Sequence, residues 1–296
     1  MRIVTRPDFD GIVCAVLIND VEHITESILW VEPNDMQNKR VTIQPGDIIA
    51  NLPYHDDCSL WFDHHYTNEI HKPFQGCFQI APSAAGIVYH YYKDKLHFDF
   101  TELVAAADKI DAAQLSQDEV LHPENDPYIL LSMTIVSHEK SDEPYWNKLV
   151  YLFKQGSIQE VMSDTEVIDR FQKTIHQNNQ YTDILKQHTK LIGHVSVTDF
   201  RSFENVPRGN RFLSYSLFPE SVVNVRIRYD EHNKEKVIVS VGHSIFNRHC
   251  HVNIGQLLTQ FNGGGHSAAG ACNFHKSFAD TYIPALIDVL VKNNPI

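Results

Sequence analysis

The stretch Arg2-Ile3-Val4-Thr5-Arg6-Pro7-Asp8-Phe9-Asp10-Gly11-Ile12-Val13-Cys14-Ala15-Val16-Leu17-Ile18 decides how the first half of the chain is read. Residues 2–5 are a short β-type run, 7–11 an acidic turn, and 12–18 the start of a buried helix. The same alternation continues outward. Residues 27–31 (SILWV), 47–50 (DIIA) and 59–62 (SLWF) read as strands, and 83–92 and 101–113 as helices. Strand–turn–helix alternation predicts an α/β fold with a mostly parallel sheet flanked by helices. In such folds ligands gather at the carboxyl ends of the strands.

The middle of the chain, 130–187, reads as mainly helical and ends in a long polar helix over 163–187, suited to connecting two bodies. From residue 191 the texture becomes β-rich. Residues 222–229 and 236–241 are predicted to form a hairpin, with Asp230 and Asn233 in its turn. A helix over 254–261 leads into Gly263-Gly264-Gly265-His266.

Composition narrows the function classes. The 296 residues suffice for two domains. With 37 acidic against 25 basic residues the net charge is −12, which argues against a broad footprint on duplex DNA. No apolar run reaches membrane-spanning length. Charged residues in the opening MRIVTRPDFDG stand where a signal peptide would be apolar. Five dispersed cysteines indicate neither a disulfide framework nor a zinc ribbon, so a reduced, cytoplasmic protein is expected. The 18 histidines are an excess, which directs attention to those that cluster with carboxylates.

Three clusters carry chemistry. Asp8 and Asp10 follow the first strand two residues apart and can face one cleft, where adjacent carboxylates call for a cation such as magnesium or manganese; Asp8 equally reads as the cap of the next helix. Asp63-His64-His65 stands at the end of the apolar run Leu60-Trp61-Phe62, placed to ligate metal and contact a phosphate. Asp108 and Asp111 lie three apart on one helix face. Near the C-terminus, Gly263-Gly264-Gly265-His266 reads as a backbone-amide nest for a phosphate, with His266 adding a directed hydrogen bond.

The ordered series Asp8-x-Asp10, Asp63-His64-His65, Asp111 and Gly-Gly-Gly-His-Ser-Ala-Ala-Gly-Ala resembles the DHH phosphoesterase superfamily with its DHHA1 C-terminal domain, over nearly the whole chain. The resemblance implies a DHH metal-binding domain over 1–162, a linker helix over 163–190 and a smaller DHHA1-like α/β domain over 191–296, facing the first across a cleft. It implies metal ligation by Asp8, Asp10, Asn51, His64 and Asp111, with Asp108 as the fallback for Asp111, and catalytic roles for Asp63, His64 and His65. In that scheme Asp63 orients His64 or accepts a proton, and His65 contacts the scissile phosphate. Substrate contacts fall to Gly263, Gly264, Gly265, His266 and Arg248, with Arg226 and Arg228 as further cations.

Two positions depart from the family pattern. Val4 stands where the first motif usually begins with histidine, and Asn51 where a bridging aspartate is usual. Arg6 lies near the depleted position, where it would repel a dication and bind a phosphate oxygen. One strongly held Mn2+ is therefore expected, Mg2+ being the alternative, with His55 a further candidate ligand. The expected function is metal-dependent hydrolysis of a small phosphate-rich substrate: a short single-stranded oligoribonucleotide, a nucleotide phosphate or polyphosphate, as in oligoribonuclease-like or exopolyphosphatase-like relatives. The alternative is a non-catalytic nucleotide- or phosphate-binding protein on the same scaffold.

Overall fold

The structure is a computed structural model, and it describes residues 1–295. Two compact units divide the chain. One comprises residues 1–115 and 123–174, the other 116–122 and 175–296.

In the first unit, β1 (Arg2–Thr5), β2 (Leu29–Trp30), β3 (Asp47–Ala50), β4 (Leu60–Asp63) and β5 (Gly76–Phe78) form an all-parallel sheet in the order β2-β1-β3-β4-β5. The chain runs from β1 to β2 on one side and then crosses to β3 on the other. The sequence order therefore reverses between β1 and β3, and a crevice opens beyond their carboxyl ends. Helices α1 (Phe9–Val21), α2 (Pro33–Gln37), α3 (Ala84–Tyr92) and α4 (Thr101–Asp111) connect or follow these strands. Helix α1 is apolar on all faces, and every residue from Phe9 to Ile18 is buried, as expected of a central helix. It starts abruptly because Asp8 caps it, accepting from the Gly11 amide at 2.9 Å. Gly11 is required there, since a Cβ would lie 1.9 Å from the Arg6 carbonyl oxygen. On the sheet, Val4, Ile49, Leu52 and Trp61 share one apolar cluster.

Beyond α4 the chain continues through α5 (Gln117–Leu121), α6 (Pro127–Met133), α7 (Glu143–Gln155), α8 (Ile158–Met162) and α9 (Thr165–His188). Helix α5 belongs with the second unit, and the division between the units falls within α9. The second unit holds β6 (Thr189–Ile192), β7 (Val195–Asp199), α10 (Leu213–Leu217), β8 (Val223–Tyr229), β9 (Lys236–His243), α11 (Ile254–Thr259), β10 (Gly263–Gly265), β11 (Ala269–His275) and α12 (Ala279–Lys292). Its mixed sheet runs β10-β11-β9-β8-β7-β6, with only the β7–β8 pair parallel. The β8–β9 hairpin forms as predicted, and Asp230 accepts from the His232 and Asn233 amides in its turn. Val223, Val225 and Ile227 alternate inward with Val237, Val239 and Val241, packing with Leu257, Ile283 and Leu286. Among the described residues no helix is long and apolar enough to cross a membrane.

Candidate active site

The start of α1, the end of β4 and the end of α4 bring Asp10, Asp63, His64 and Asp111 together in the first unit, and the start of α3 supplies backbone amides. Asp10 comes from the first turn of α1 and is 2% exposed. Its carboxylate reaches across to α3, accepting from the Ala84 amide at 2.9 Å and the Ala85 amide at 2.7 Å. That position at a helix N-terminus favours negative charge. Burial, together with the Asp111 and Asp8 carboxylates, nevertheless pushes the Asp10 carboxyl well above the ordinary range.

His64 stands just after β4. Its Nδ1 lies 3.0 Å from the Ala81 carbonyl, which only accepts, so Nδ1 carries a proton and the neutral ring presents its lone pair at Nε2. Nε2 lies 3.3 Å from Asp111 Oδ2 and 3.8 Å from Asp10 Oδ2. It is shut off from water and has no hydrogen-bond partner. One ligand atom each from Asp10, His64 and Asp111 lie within 4.8 Å of one another. An unpartnered imidazole lone pair between two carboxylates is repulsive by itself and complementary to a divalent cation, so these residues fit the metal that the DHH motifs imply.

Asp63, His64 and His65 are equally close together, but the Asp63 carboxylate is already engaged. Its Oδ1 accepts from the His64 amide at 2.9 Å and from His65 Nδ1 at 2.8 Å, and its Oδ2 accepts from the Asn68 side-chain amide at 2.6 Å. Asp63 thus holds the backbone of His64 and the ring of His65, whereas the His64 ring is oriented by Ala81. Asp63 therefore acts on His64 through its backbone amide and not through its ring. The ion pair with Asp63 raises the His65 pKa.

Asp8 does not enter the Asp10–His64–Asp111 group. Its Oδ1 accepts from the Gly11 amide and from the Asn51 side-chain amide at 3.0 Å, and its Oδ2 lies 3.1 Å from Arg6 Nε. In this structure Asp8 is the helix cap that the sequence also allowed, paired with a cation. Burial raises its pKa against the opposing charge of Arg6. Asn51, 1% exposed and at φ +56°, turns its amide toward Asp8 and leaves its own Oδ1 without a partner. Val4 is wholly buried. Asp108 accepts from the Ser83 hydroxyl at 2.6 Å. His55 accepts from the Asp57 amide in its own loop and is not part of the cluster.

In the second unit, Gly263–Gly265 is not an open nest but an edge strand, paired antiparallel with residues 270–272. The N-terminal amides of α11 are taken by the His266 and Ser267 carbonyls, which leaves no bare helix end for an anion. His266 and Arg248 are exposed, and Arg248 Nε donates to the Ile245 carbonyl at 3.1 Å. Arg226 and Arg228 are half-buried on β8.

Sequence reasoning missed two contributors. The Ala84 and Ala85 amides were signalled only by Ser83, a good cap before a small-residue helix. Glu32, whose Oε2 lies 3.9 Å from Arg6 Nε, was signalled only by its place just beyond β2.

The sequence matches no protein-family model and no curated protein. Among solved structures it is similar to the pGpG-specific phosphodiesterase PggH from Vibrio cholerae, with 32% identity and a TM-score of 0.88 over 99% of both chains. It shares the fold of an exopolyphosphatase-related protein from Bacteroides fragilis (12% identity, TM-score 0.57, 98% of this chain and 93% of that one). It also shares the fold of an exonuclease RecJ bound to manganese (12% identity, TM-score 0.56, 99% and 90%). With the ordered motifs and the two-sheet architecture, this likeness identifies the lineage: the chain belongs to the DHH phosphoesterase superfamily.

Proposed function

We propose that this chain is a divalent-cation-dependent phosphodiesterase that cleaves a short linear dinucleotide of the pGpG kind. Asp10, His64 and Asp111 hold one cation, Mn2+ or Mg2+, and Arg6 is the fixed charge in place of a second. The observation that carries this reading is the buried, unpartnered His64 Nε2 facing two carboxylates. The similarity to PggH over nearly the whole of both chains supports the substrate class.

When bound, the cation supplies Lewis acidity to the phosphoryl group and makes water a stronger nucleophile at neutral pH. The protein's own groups do the rest. Asp10 is fixed by two backbone amides and His64 by Ala81, so neither ligand has to reorganise. The hydrogen bond to Asp63 favours the charged form of His65, whose Nε2–H would then be available to a phosphate oxygen and to the leaving oxygen as the P–O bond breaks. On the second unit, Arg248 and His266 are the proposed phosphate contacts.

The test is turnover of pGpG and of other linear dinucleotides, with short polyphosphate as a control, in Mn2+, Mg2+ or EDTA. Metal-dependent conversion of pGpG to mononucleotide, abolished by His64→Ala, is expected. Turnover that persists in EDTA would overturn the reading. Val4 and Asn51, standing where the family pattern has metal ligands, favour a second reading, a non-catalytic nucleotide-binding protein. That reading predicts tight binding without turnover, unchanged by His64→Ala.

A further inference from the structure

Seven buried side-chain polar atoms among the described residues have no hydrogen-bond partner, and their distribution is not even. Asn178 Oδ1 and Ser216 Oγ lie elsewhere. His64 Nε2, Asn51 Oδ1 and Arg6 Nε belong to the centre described above; Arg6 Nε is near enough to Asp8 for an ion pair but not aligned for a hydrogen bond. The other two, Glu32 Oε1 and Trp146 Nε1, belong to residues lining a single cavity of about 560 Å³ beside β2 in the first unit. A buried polar group without a partner costs free energy, so such groups concentrated around one cavity mark a place built for a ligand.

The wall of the cavity defines what fits. Trp30 and Trp146 meet edge to face, 5.7 Å between centroids, and Trp146 is 2% exposed. Its indole Nε1–H is a buried donor with no acceptor, and Glu32 Oε1 is a buried acceptor with no donor. Arg40 and Lys140 also line the cavity, as do Asp35 and Glu143, with Arg40 3.3 Å from Asp35. The volume lies within the range of small-molecule sites. The cavity adjoins the catalytic centre through one chain of charges: Glu32 Oε2 is 3.9 Å from Arg6 Nε, which is 3.1 Å from Asp8 Oδ2.

Resting on the phosphodiesterase reading above, we propose that this cavity is the base-recognition pocket and that it selects guanine. A flat heterocycle suits the indole-lined wall. Toward a carboxylate, guanine alone among the bases presents two adjacent donors, N1–H and the 2-amino group, and its O6 and N7 accept from an indole N–H. Adenine presents a single amino group beside ring acceptors, and uracil one N–H between two carbonyls; each sets an acceptor against the carboxylate. A site built to bond such groups discriminates strongly, because the wrong ligand leaves buried partners unpaired.

The chain has three tryptophans, of which Trp30 and Trp146 line this cavity, so intrinsic fluorescence reports its occupancy. The full chain in EDTA is titrated with GMP, IMP and AMP at fixed ionic strength. GMP is expected to change the emission saturably, IMP to bind more weakly for want of the 2-amino group, and AMP to bind at least about tenfold more weakly than GMP. Glu32→Gln, which replaces one acceptor by a donor, is expected to weaken GMP about tenfold without weakening AMP. Trp146→Phe, which keeps the aromatic volume, is expected to weaken GMP by a smaller factor and serves if Glu32→Gln fails to fold. Equal affinity for GMP and AMP, absence of binding, or GMP affinity indifferent to both substitutions would overturn the proposal. The measurement needs neither cation nor turnover. Guanine-selective binding by a protein that hydrolyses no dinucleotide refutes the phosphodiesterase reading alone. Base-indifferent hydrolysis with equal GMP and AMP binding refutes the pocket alone.

Discussion

The Asn51 side-chain amide donates to Asp8 Oδ1 at 3.0 Å, placing a neutral hydrogen-bond donor at the end of β3 where a bridging carboxylate would hold a second cation. Asp8 keeps one negative charge, and Arg6 balances it. The Arg6 and Asp8 charges offset each other without a metal, while Asn51 Oδ1 is left without a partner.

Asn51→Asp should undo this. Aspartate tolerates the left-handed backbone at φ +56°, but it removes the donor and sets two buried carboxylates against each other. The EDTA-treated variant should lose about 2 kcal/mol relative to wild type. Mn2+ should restore much of that loss and raise the bound metal from one ion per chain toward two. Thermal melts with and without Mn2+, paired with metal analysis, check both effects. An unchanged melting temperature in EDTA would contradict the account.

Asp10 gives the metal-free protein a characteristic pH response. Its pKa in the fold is raised by burial and by the Asp111 and Asp8 carboxylates, so the folded state holds this proton more tightly than the unfolded chain does. Its contribution is therefore fully present below the unfolded value of roughly 4 and is lost as pH rises through the raised folded value. Denaturation of EDTA-treated protein from pH 4 to 8 should show wild type losing stability relative to Asp10→Asn as pH rises. Saturating Mn2+ should suppress or reverse the trend. A difference between the two proteins that is flat with pH would show that the Asp10 carboxylate is not under this strain.

How far the sequence was readable follows the distance over which each feature is decided. The β1–Asp8–α1 turn, the strand ending in Asp63-His64-His65 and the β8–β9 hairpin depend on neighbours in the chain, and all were legible. The anchoring of Asp10 by the Ala84 and Ala85 amides spans 74 and 75 residues, and the approach of Glu32 to Arg6 depends on the β1–β2 pairing. Neither leaves a local trace. The three glycines misled for the same reason. Their composition suggests an open loop, but residues 270–272 supply a strand partner, and that pairing is set by the tertiary fold.

Gly255, which packs against those glycines, has a role that mutation can expose. A Cβ on Gly255 in α11 would lie 2.4 Å from the Gly265 carbonyl oxygen, a backbone atom with no means of turning aside. Gly255→Ala should therefore cost about 2 kcal/mol or more by forcing α11 away from β10. Gly264 differs, since a Cβ there meets nothing within 4 Å. Gly264→Ala should change stability by no more than about 0.5 kcal/mol. Urea denaturation of the two variants side by side tests the contrast, and equal losses would mean that the close approach of α11 to β10 is not what requires glycine.

In the proposed mechanism, Asp63 and His65 set the pH range in which the site works. His65 Nδ1 donates to Asp63 Oδ1 at 2.8 Å, and this bond raises the His65 pKa. Asp63→Asn keeps an acceptor of the same shape but removes the charge, so the His65 pKa should fall back toward the ordinary value of about 6.5. If His65 supplies the proton to the leaving oxygen, the alkaline limb of the pH–rate profile for pGpG should move to lower pH. The loss of rate should then be larger on the alkaline side than near pH 6. The stability contribution has the same sign: a histidine whose folded pKa is raised stabilises the fold below its unfolded value, and that stabilisation is lost as pH rises through the folded value. Wild type and Asp63→Asn should therefore differ more in stability at pH 6 than at pH 9. A pH–rate profile that keeps its alkaline limb in Asp63→Asn would remove His65 from the proton-transfer role and leave it as a contact to the phosphate.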